Sequence, residues 1–286
     1  MQIGGYRFDA GPSLFTLPEQ VEELFLLAGR KPADHFQYSK LDVACHYFWE
    51  DGKSIKAYGD LHQFAEEVET KLGEPAENVK KALKNSAYIY EHLAPLFMHR
   101  SLHQWNTWVN PTALKSYLKM GKLGIFTTMN EANERLFDQP KMVQLFNRYA
   151  TYNGSNPYQT PATLNIIPHL EFNIGAFFPK KGMHDITQSL YKLAVDLGVD
   201  FHFNSKVEEI LVEKNIATGV LVNNSKIQAD LVINNMDMVN AYKSILKNQK
   251  QPTKLLDQPK SSSALIFYWG IKRFFPKLGL HNIIFS

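Results

Sequence analysis

The chain has 286 residues, of which 44% are apolar, 21% charged and 13% aromatic, with 31 basic residues set against 28 acidic ones for a formal charge of +3. That length suffices for a sizeable core and two domains, while the even charge balance and the lack of an arginine-rich run argue against a nucleic-acid partner. A single cysteine, Cys45, excludes an internal disulfide framework and a multi-cysteine metal site, and every apolar run falls short of the ~18 residues of a membrane-spanning helix. The default compartment is the cytoplasm, with peripheral membrane contact left open.

Residues 1–16 open on a strand-like run with no preceding element to pair it, turning at Gly11-Pro12-Ser13, which suggests an interior segment of a longer protein. Pro18, Glu19 and Glu22 start a helix through Val21, Leu24, Phe25 and Ala28 that stops at Gly29. Residues 41–58 read as paired strands around an Asp51-Gly52 turn. Asp60 caps a helix over Leu61–Leu72 closed by Gly73. Pro75 begins a longer one with Val79, Leu83, Ala87, Tyr90, Leu93, Leu96 and Phe97 on one face, and helical runs follow at about 111–120 and 128–150. This helical stretch between two α/β stretches reads as a cap or substrate domain. Its segment from Leu96 through Trp105 and Trp108 interleaves aromatic and basic residues and suits either a bilayer surface or core packing.

Arg148, Tyr149 and Tyr152 suit an apolar tunnel with one polar anchor, or an arginine satisfying carbonyls at a helix end. The best-formed unit runs from Gly175 to Asp237. It comprises a helix with Ile186, Leu190, Leu193, Ala194 and Leu197 on one face, stopped at Gly198, then a strand at Val199–Phe203. A hairpin follows, from Val207–Val212 through Glu213-Lys214-Asn215 to Ala217–Val222, and after it a short run around Ile227. Ala229–Ile233 reads as a strand buried on both faces, ending at Asn234-Asn235, where a sheet edge either binds a nucleotide or merely packs. Ser263–Ile271 and Asn282–Phe285 are strand-like. Catalytic motifs are absent: there is no G-x-G-x-x-G, P-loop, H-E-x-x-H or G-x-S-x-G, and the His99/His103 pair has no acidic companion, so no metal is expected. Chemistry then has to come from a bound cofactor or from parts of the protein beyond these residues.

Six segments, GYRFDAGPSLFTLP (5–18), YATYNGSNPYQTPA (149–162), HLEFNIGAFFPKKGM (169–183), LGVDFHFNSKVEEI (197–210), ADLVINNMD (229–237) and SSSALIFYWGIKRFFPKLGLHNIIFS (261–286), occur in an order that resembles the bacterial-type phytoene desaturases, the carotenoid branch of the FAD-dependent amine-oxidase-like superfamily. The resemblance implies an α/β, FAD/NAD(P)-binding Rossmann-like fold that lacks its N-terminal dinucleotide motif and carries a largely helical substrate or cap domain. It implies partial nucleotide- and substrate-domain strands over 1–59, a helical substrate or membrane-contacting region over 60–168, a nucleotide-domain helix, meander and buried strand over 169–240, and the start of a substrate-domain sheet over 241–286. It further implies FAD as cofactor and removal of hydrogen from adjacent carbons of a long polyene or isoprenoid such as phytoene, with oxygen or a quinone reoxidising the flavin. The location implied is cytoplasmic, with contact at the inner face of the cytoplasmic membrane.

Carried over by motif, Asp9 and Gly11 approach the flavin, Pro12 and Ser13 continue toward the substrate, Val207 meets the adenine end, and Asn235 and Asp237 occupy the turn after the nucleotide-domain strand. Neither Arg148 nor Glu171 is assigned a catalytic role. In the family the glycine-rich fingerprint precedes the first of these segments and a last flavin motif follows the final one. The chain therefore reads as an internal fragment that would not by itself hold FAD tightly. Lys181 stands where the family has the first glycine of a Gly-Gly-Met turn, so either Lys181 is strained or the turn shifts to Gly182. Related readings are a carotene isomerase or retinol saturase-like enzyme, and a non-catalytic isoprenoid- or lipid-binding remnant.

Overall fold

A computed structural model describes residues 1–286, with every side chain included except those of Thr112 and Lys115. The chain divides into two units, Met1–Leu193 with Ser261–Ser286, and Ala194–Lys260. The first opens on an antiparallel ribbon of β1 (Gln2–Ile3) and β2 (Tyr6–Arg7), then passes through α1 (Glu19–Leu27) and α2 (Pro32–His35) to β3 (Tyr38–Lys40). The hairpin expected around Asp51-Gly52 is β4 (Val43–Trp49) with β5 (Ser54–Tyr58), and Gly52 supplies the left-handed turn residue at φ +82. Cys45, Tyr47, Trp49, Ile55 and Ala57 face the core while His46, Phe48 and Lys56 do not, the period of two that the sequence showed.

Helix α3 (Leu61–Leu72) begins where the Asp60 carboxylate accepts from the Gln63 N–H at 2.9 Å and ends at left-handed Gly73. α4 (Ala76–Phe97) buries Val79, Leu83, Ile89 and Leu96. After α5 (Pro111–Lys119), the single helical run expected over 128–150 is split into α6 (Met129–Glu134) and α7 (Pro140–Asn147). Pro140 is the reason: it takes the first helical position and forces Gln139 to an extended ψ of 125°. A buried carboxylate then fixes α7, because Glu74 accepts from the N–H groups of Gln139 (2.7 Å) and Asp138 (3.2 Å) and from the Asn78 amide (2.7 Å). A relay of amides, Asn165 to Asn133 (3.0 Å), Asn133 to Asn147 (2.8 Å) and Asn147 to Asn130 (2.7 Å), ties the 3-10 turn Ala162–Ile166 to both helices. The main core lies between the β4–β5 hairpin and helices α3, α4, α6 and α7, with Phe64 stacked on Phe172 at 4.5 Å.

Strand β6 (Phe177–Pro179) pairs antiparallel with β3. Helix α8 (His184–Asp196), stopped by Gly198 at φ +85 as expected, contributes Leu193 to a second cluster with Phe15, Phe25 and Phe36. In the second unit, β7 (Val207–Glu213) and β8 (Ile216–Val222) join through Lys214 and Asn215 at φ +51 and +66. β9 (Ser225–Gln228) follows through Asn223 and Asn224 at φ +49 and +60, so both turns are of the left-handed two-residue kind that matches strand twist. Beneath this meander Ile210 packs on Ala241 and Ile245, at and just beyond α9 (Met238–Lys243), and α10 (Thr253–Leu256) follows.

Three expected strands do not form. Val199–Phe203 and Ser263–Ile271 are irregular, and Ala229–Ile233, expected to be buried on both faces, leaves Leu231 75% and Ile233 86% exposed. A β-rich sequence becomes a strand only when a neighbour completes its hydrogen-bond ladder, and among the described residues none of the three has a paired strand. Asn282–Phe285 shows the contrast: it lies beside β4 in parallel register, Asn282 opposite His46 through Phe285 opposite Trp49, and forms β10. Removing the Glu74 carboxylate with Glu74→Ala should unpin α7 and lower stability by about 3 kcal/mol, the scale of hydrogen bonds to a buried charge. Urea unfolding followed by tryptophan fluorescence checks this, and a midpoint unchanged from wild type would refute it.

Candidate functional site

Beyond α7 the chain tightens into a 3-10 turn, Arg148–Asn153, which carries Arg148 and Tyr149 inward and leaves Tyr152 42% exposed beside them. The Arg148 side chain is 9% exposed and meets Glu171, fully buried, at 3.3 Å from Nη2 to Oε2. The same Nη2 donates to the Tyr47 hydroxyl at 2.6 Å, and the Tyr152 hydroxyl donates to Glu171 Oε2 at 2.7 Å. Three rings enclose the guanidinium, Tyr149 at 4.4 Å, Tyr47 at 5.3 Å and Tyr152 at 5.6 Å from ring centre to Cζ. Glu171 is presented by a π-helical turn, His169–Ile174, a backbone form that recurs at functional positions.

Arg148 thus answers a carboxylate and a phenol rather than helix-end carbonyls. The pairing is incomplete, since Arg148 Nε and Glu171 Oε1 are buried without a partner among the described residues. Burial pushes the Tyr47, Tyr149 and Tyr152 hydroxyls well above the usual phenol range, and a guanidinium does not give up its proton. The Tyr149 hydroxyl is likewise buried without a partner among the described residues. Sequence reading missed Tyr47, whose alternation in β4 marked it only as core.

An apolar cavity of 540 Å³ lies elsewhere in the same unit, walled by Leu93, Leu96 and Phe97 of α4, by Met120 and Leu123, and by Leu170. None of Pro12, Ser13, Arg148, Tyr149 or Tyr152 lines it. The ion pair turns the 148–152 side chains toward Tyr47, and Pro12 and Ser13 are exposed, with Ser13 Oγ 3.2 Å from His281 Nδ1. Burial, followed by the field of Arg148, holds the His281 imidazole below its usual pKa. The helical stripe Leu93–Leu96–Phe97 was the sequence signal for this cavity. Around it Phe97, Leu102, Trp105, Leu118 and Phe126 are exposed, and no helix among the described residues is long and apolar enough to cross a membrane.

The residues expected to hold FAD fall in both units. In the first, Asp9 Oδ2 accepts from the Met183 N–H at 2.9 Å beside the start of α8, Asp9 Oδ1 pairs with Arg7 at 3.0 Å, and Arg7 donates to the Lys181 carbonyl at 2.9 Å. Gly182 takes the left-handed position at φ +91, so the turn is shifted and Lys181 is unstrained; a Cβ on Gly182 would run into the Asp9 carboxylate. Gly11, at φ +124, has open space where a Cβ would stand, a backbone that a ligand can approach closely. In the second unit, Val207 lines a 590 Å³ cavity with Ile210, Val220 and Val232 as apolar wall, Lys206, Lys243 and Lys247 as cations and Glu208 as a carboxylate. That donor set fits the adenine and phosphates of a dinucleotide. Asn234 and Met236 line it, while Asn235 is exposed and Asp237 caps α9 by accepting from the Asn240 N–H at 3.0 Å.

Arg148→Leu should cost about 3–5 kcal/mol by leaving Glu171 charged and unpaired, and Arg148→Leu with Glu171→Leu should recover most of that loss. Comparing the three proteins by urea denaturation checks this; a double variant as unstable as the single one would refute it. Burial pushes the Cys45 thiol up to about 12, so near pH 8 it should react with a thiol reagent only after unfolding, and fast modification of the folded protein would contradict its placement.

Three relatives match the whole chain or nearly so. A protein of Flavobacterium sp. (strain P99-3) named 1-hydroxycarotenoid 3,4-desaturase is 48% identical over 100% of this chain. The 4,4'-diapolycopene oxygenase of a Methylomonas species is 30% identical over 100% of it, and the carotenoid 3,4-desaturase of Haloarcula japonica 27% identical over 99%. The chain spans 58% of the length of each. A sequence model of the flavin containing amine oxidoreductases matches residues 1–268, and this chain, with its apolar cavity and its dinucleotide-compatible pocket, belongs to that family.

Proposed function

We propose that the protein is an FAD-dependent oxidoreductase of carotenoid biosynthesis that introduces double bonds into a polyene, and that its substrate is a hydroxyl-bearing carotenoid rather than phytoene itself. The observation that carries this reading is the 540 Å³ cavity, whose wall is almost entirely apolar. A polyene offers no charged handle, so it is held by burial, at about 0.8 kcal/mol per CH₂. The narrower substrate choice is supported by the 48% identity to the relative named 1-hydroxycarotenoid 3,4-desaturase, against 29% to one named phytoene desaturase from Phycomyces blakesleeanus.

FAD, when bound, supplies the acceptor for the hydrogen removed from the substrate. The chain's own part is to bind and orient. Leu93, Leu96, Leu123 and Leu170 hold hydrocarbon and exclude water, Gly11 gives close backbone approach to the flavin, and Val207 with Lys206 and Lys243 receives the adenine end. The exposed Phe97, Leu102, Trp105, Leu118 and Phe126 support a place on the inner face of the cytoplasmic membrane, where a water-insoluble substrate is found.

The test is to produce the full-length protein that contains these residues with FAD in a carotenoid-free bacterial host and supply either a 1-hydroxycarotenoid or phytoene. A red-shifted product from the first and little from the second is expected, and Leu96→Trp should abolish it while flavin absorbance is retained. Carotenoid binding without flavin or turnover would favour a non-catalytic isoprenoid binder, and no change in either substrate would refute the desaturase reading.

A further inference from the structure

A second groove, of 580 Å³, lies on the other side of α4 and has a different chemistry. It is lined by Lys81, Lys84, Asn85 and Tyr88 of α4, by Lys122 and by Arg135, with no carboxylate in its wall. Among the described residues none of these four cations makes an ion pair; the nearby lysine that does, Lys80, pairs with Glu77 at 3.9 Å. The Tyr88 hydroxyl is buried and has no hydrogen-bond partner among the described residues, although a phenol taken out of water normally finds one. Four unneutralised cations converging on one concavity repel each other, and an orphan hydroxyl beside them lacks an acceptor. A phosphoryl group would answer both.

The source of that phosphoryl group follows from the neighbouring segment. Residues 120–126 serve both concavities: Met120, Leu123 and Ile125 face the apolar cavity, Lys122 lines the basic groove, and Phe126 is 81% exposed. Basic groups beside an exposed aromatic and an apolar cavity match the layering of a membrane surface, with anionic headgroups next to hydrocarbon. We propose that this groove binds the phosphate of an anionic phospholipid headgroup, with Lys81, Lys84, Lys122 and Arg135 around its charge and the Tyr88 hydroxyl donating to one of its oxygens. This rests on the membrane contact proposed above and adds lipid selectivity to it.

Co-sedimentation with vesicles of phosphatidylglycerol and phosphatidylcholine, against vesicles of phosphatidylcholine alone, tests the site. The wild-type protein should prefer the anionic vesicles. Lys81→Glu with Lys84→Glu and Arg135→Glu should weaken that binding by at least about a hundredfold, from roughly fivefold per basic residue, and leave binding to neutral vesicles unchanged. Tyr88→Phe, which alters no charge, should lower it severalfold with circular dichroism unaltered. An equal loss from reversing Lys31, Lys192 and Lys226 would mean diffuse attraction and overturn the site. Thermal stabilisation by inorganic phosphate that vanishes in Tyr88→Phe, with no preference among vesicles, would make the ligand a free phosphate and overturn the headgroup assignment. Wild-type protein that binds neither vesicle would overturn the membrane contact as well, whereas equal binding to both overturns the groove alone.

Discussion

The buried pair of Arg148 and Glu171 is the constraint around which the first unit is arranged. It joins three separately folded pieces: β4 through Tyr47, the turn after α7 through Arg148 and Tyr152, and the π-helical turn through Glu171. Burying two charges is unfavourable unless their hydrogen bonds are nearly complete, yet here Nε and Oε1 are left over. An apolar replacement could fill the same volume at less cost. The surrounding fold bears that cost elsewhere, with Glu74 pinning the start of α7 and the asparagine relay pinning its flank, so the guanidinium is held at one place and angle.

Polarity is also sorted around α4. Successive side chains step by about 100° around a helix, so Lys81, Lys84 and Tyr88 fall on one side, and Leu93, Leu96 and Phe97 on another. One helix thereby serves an apolar cavity and a basic groove without mixing their surroundings. Separation of this kind is what the proposed polyene binding and headgroup contact require of the helix.

Legibility in the sequence tracked how local the cause was. Asp60 and Gly73 bracket α3, Gly198 ends α8, and Lys214-Asn215 turns the β7–β8 hairpin, because each effect acts over about four residues of chain. The members of the candidate site were legible only in part: Arg148, Tyr149 and Tyr152 could be named from composition near a turn, but nothing local pointed to Tyr47, which lies 101 residues from Arg148. The strands expected at Val199–Phe203, Ala229–Ile233 and Ser263–Ile271 failed for the converse reason, since their composition is right and their ladder partners are missing among the described residues.

By itself the sequence determined the limits of α3 and the end of α8, the hairpin turns and, through the order of its motifs, membership of a flavin-containing family. Those properties reside in backbone sterics, capping and short-range periodicity. Only the tertiary structure decided that the Arg148 group turns toward a carboxylate rather than lining the apolar cavity, that Gly182 and not Lys181 takes the left-handed turn, and that four cations from α4, the residue after α6 and the segment before α6 share one groove. Each of those outcomes depends on side chains far apart in the chain meeting in a medium of low dielectric constant, and neither spacing nor composition records such a meeting.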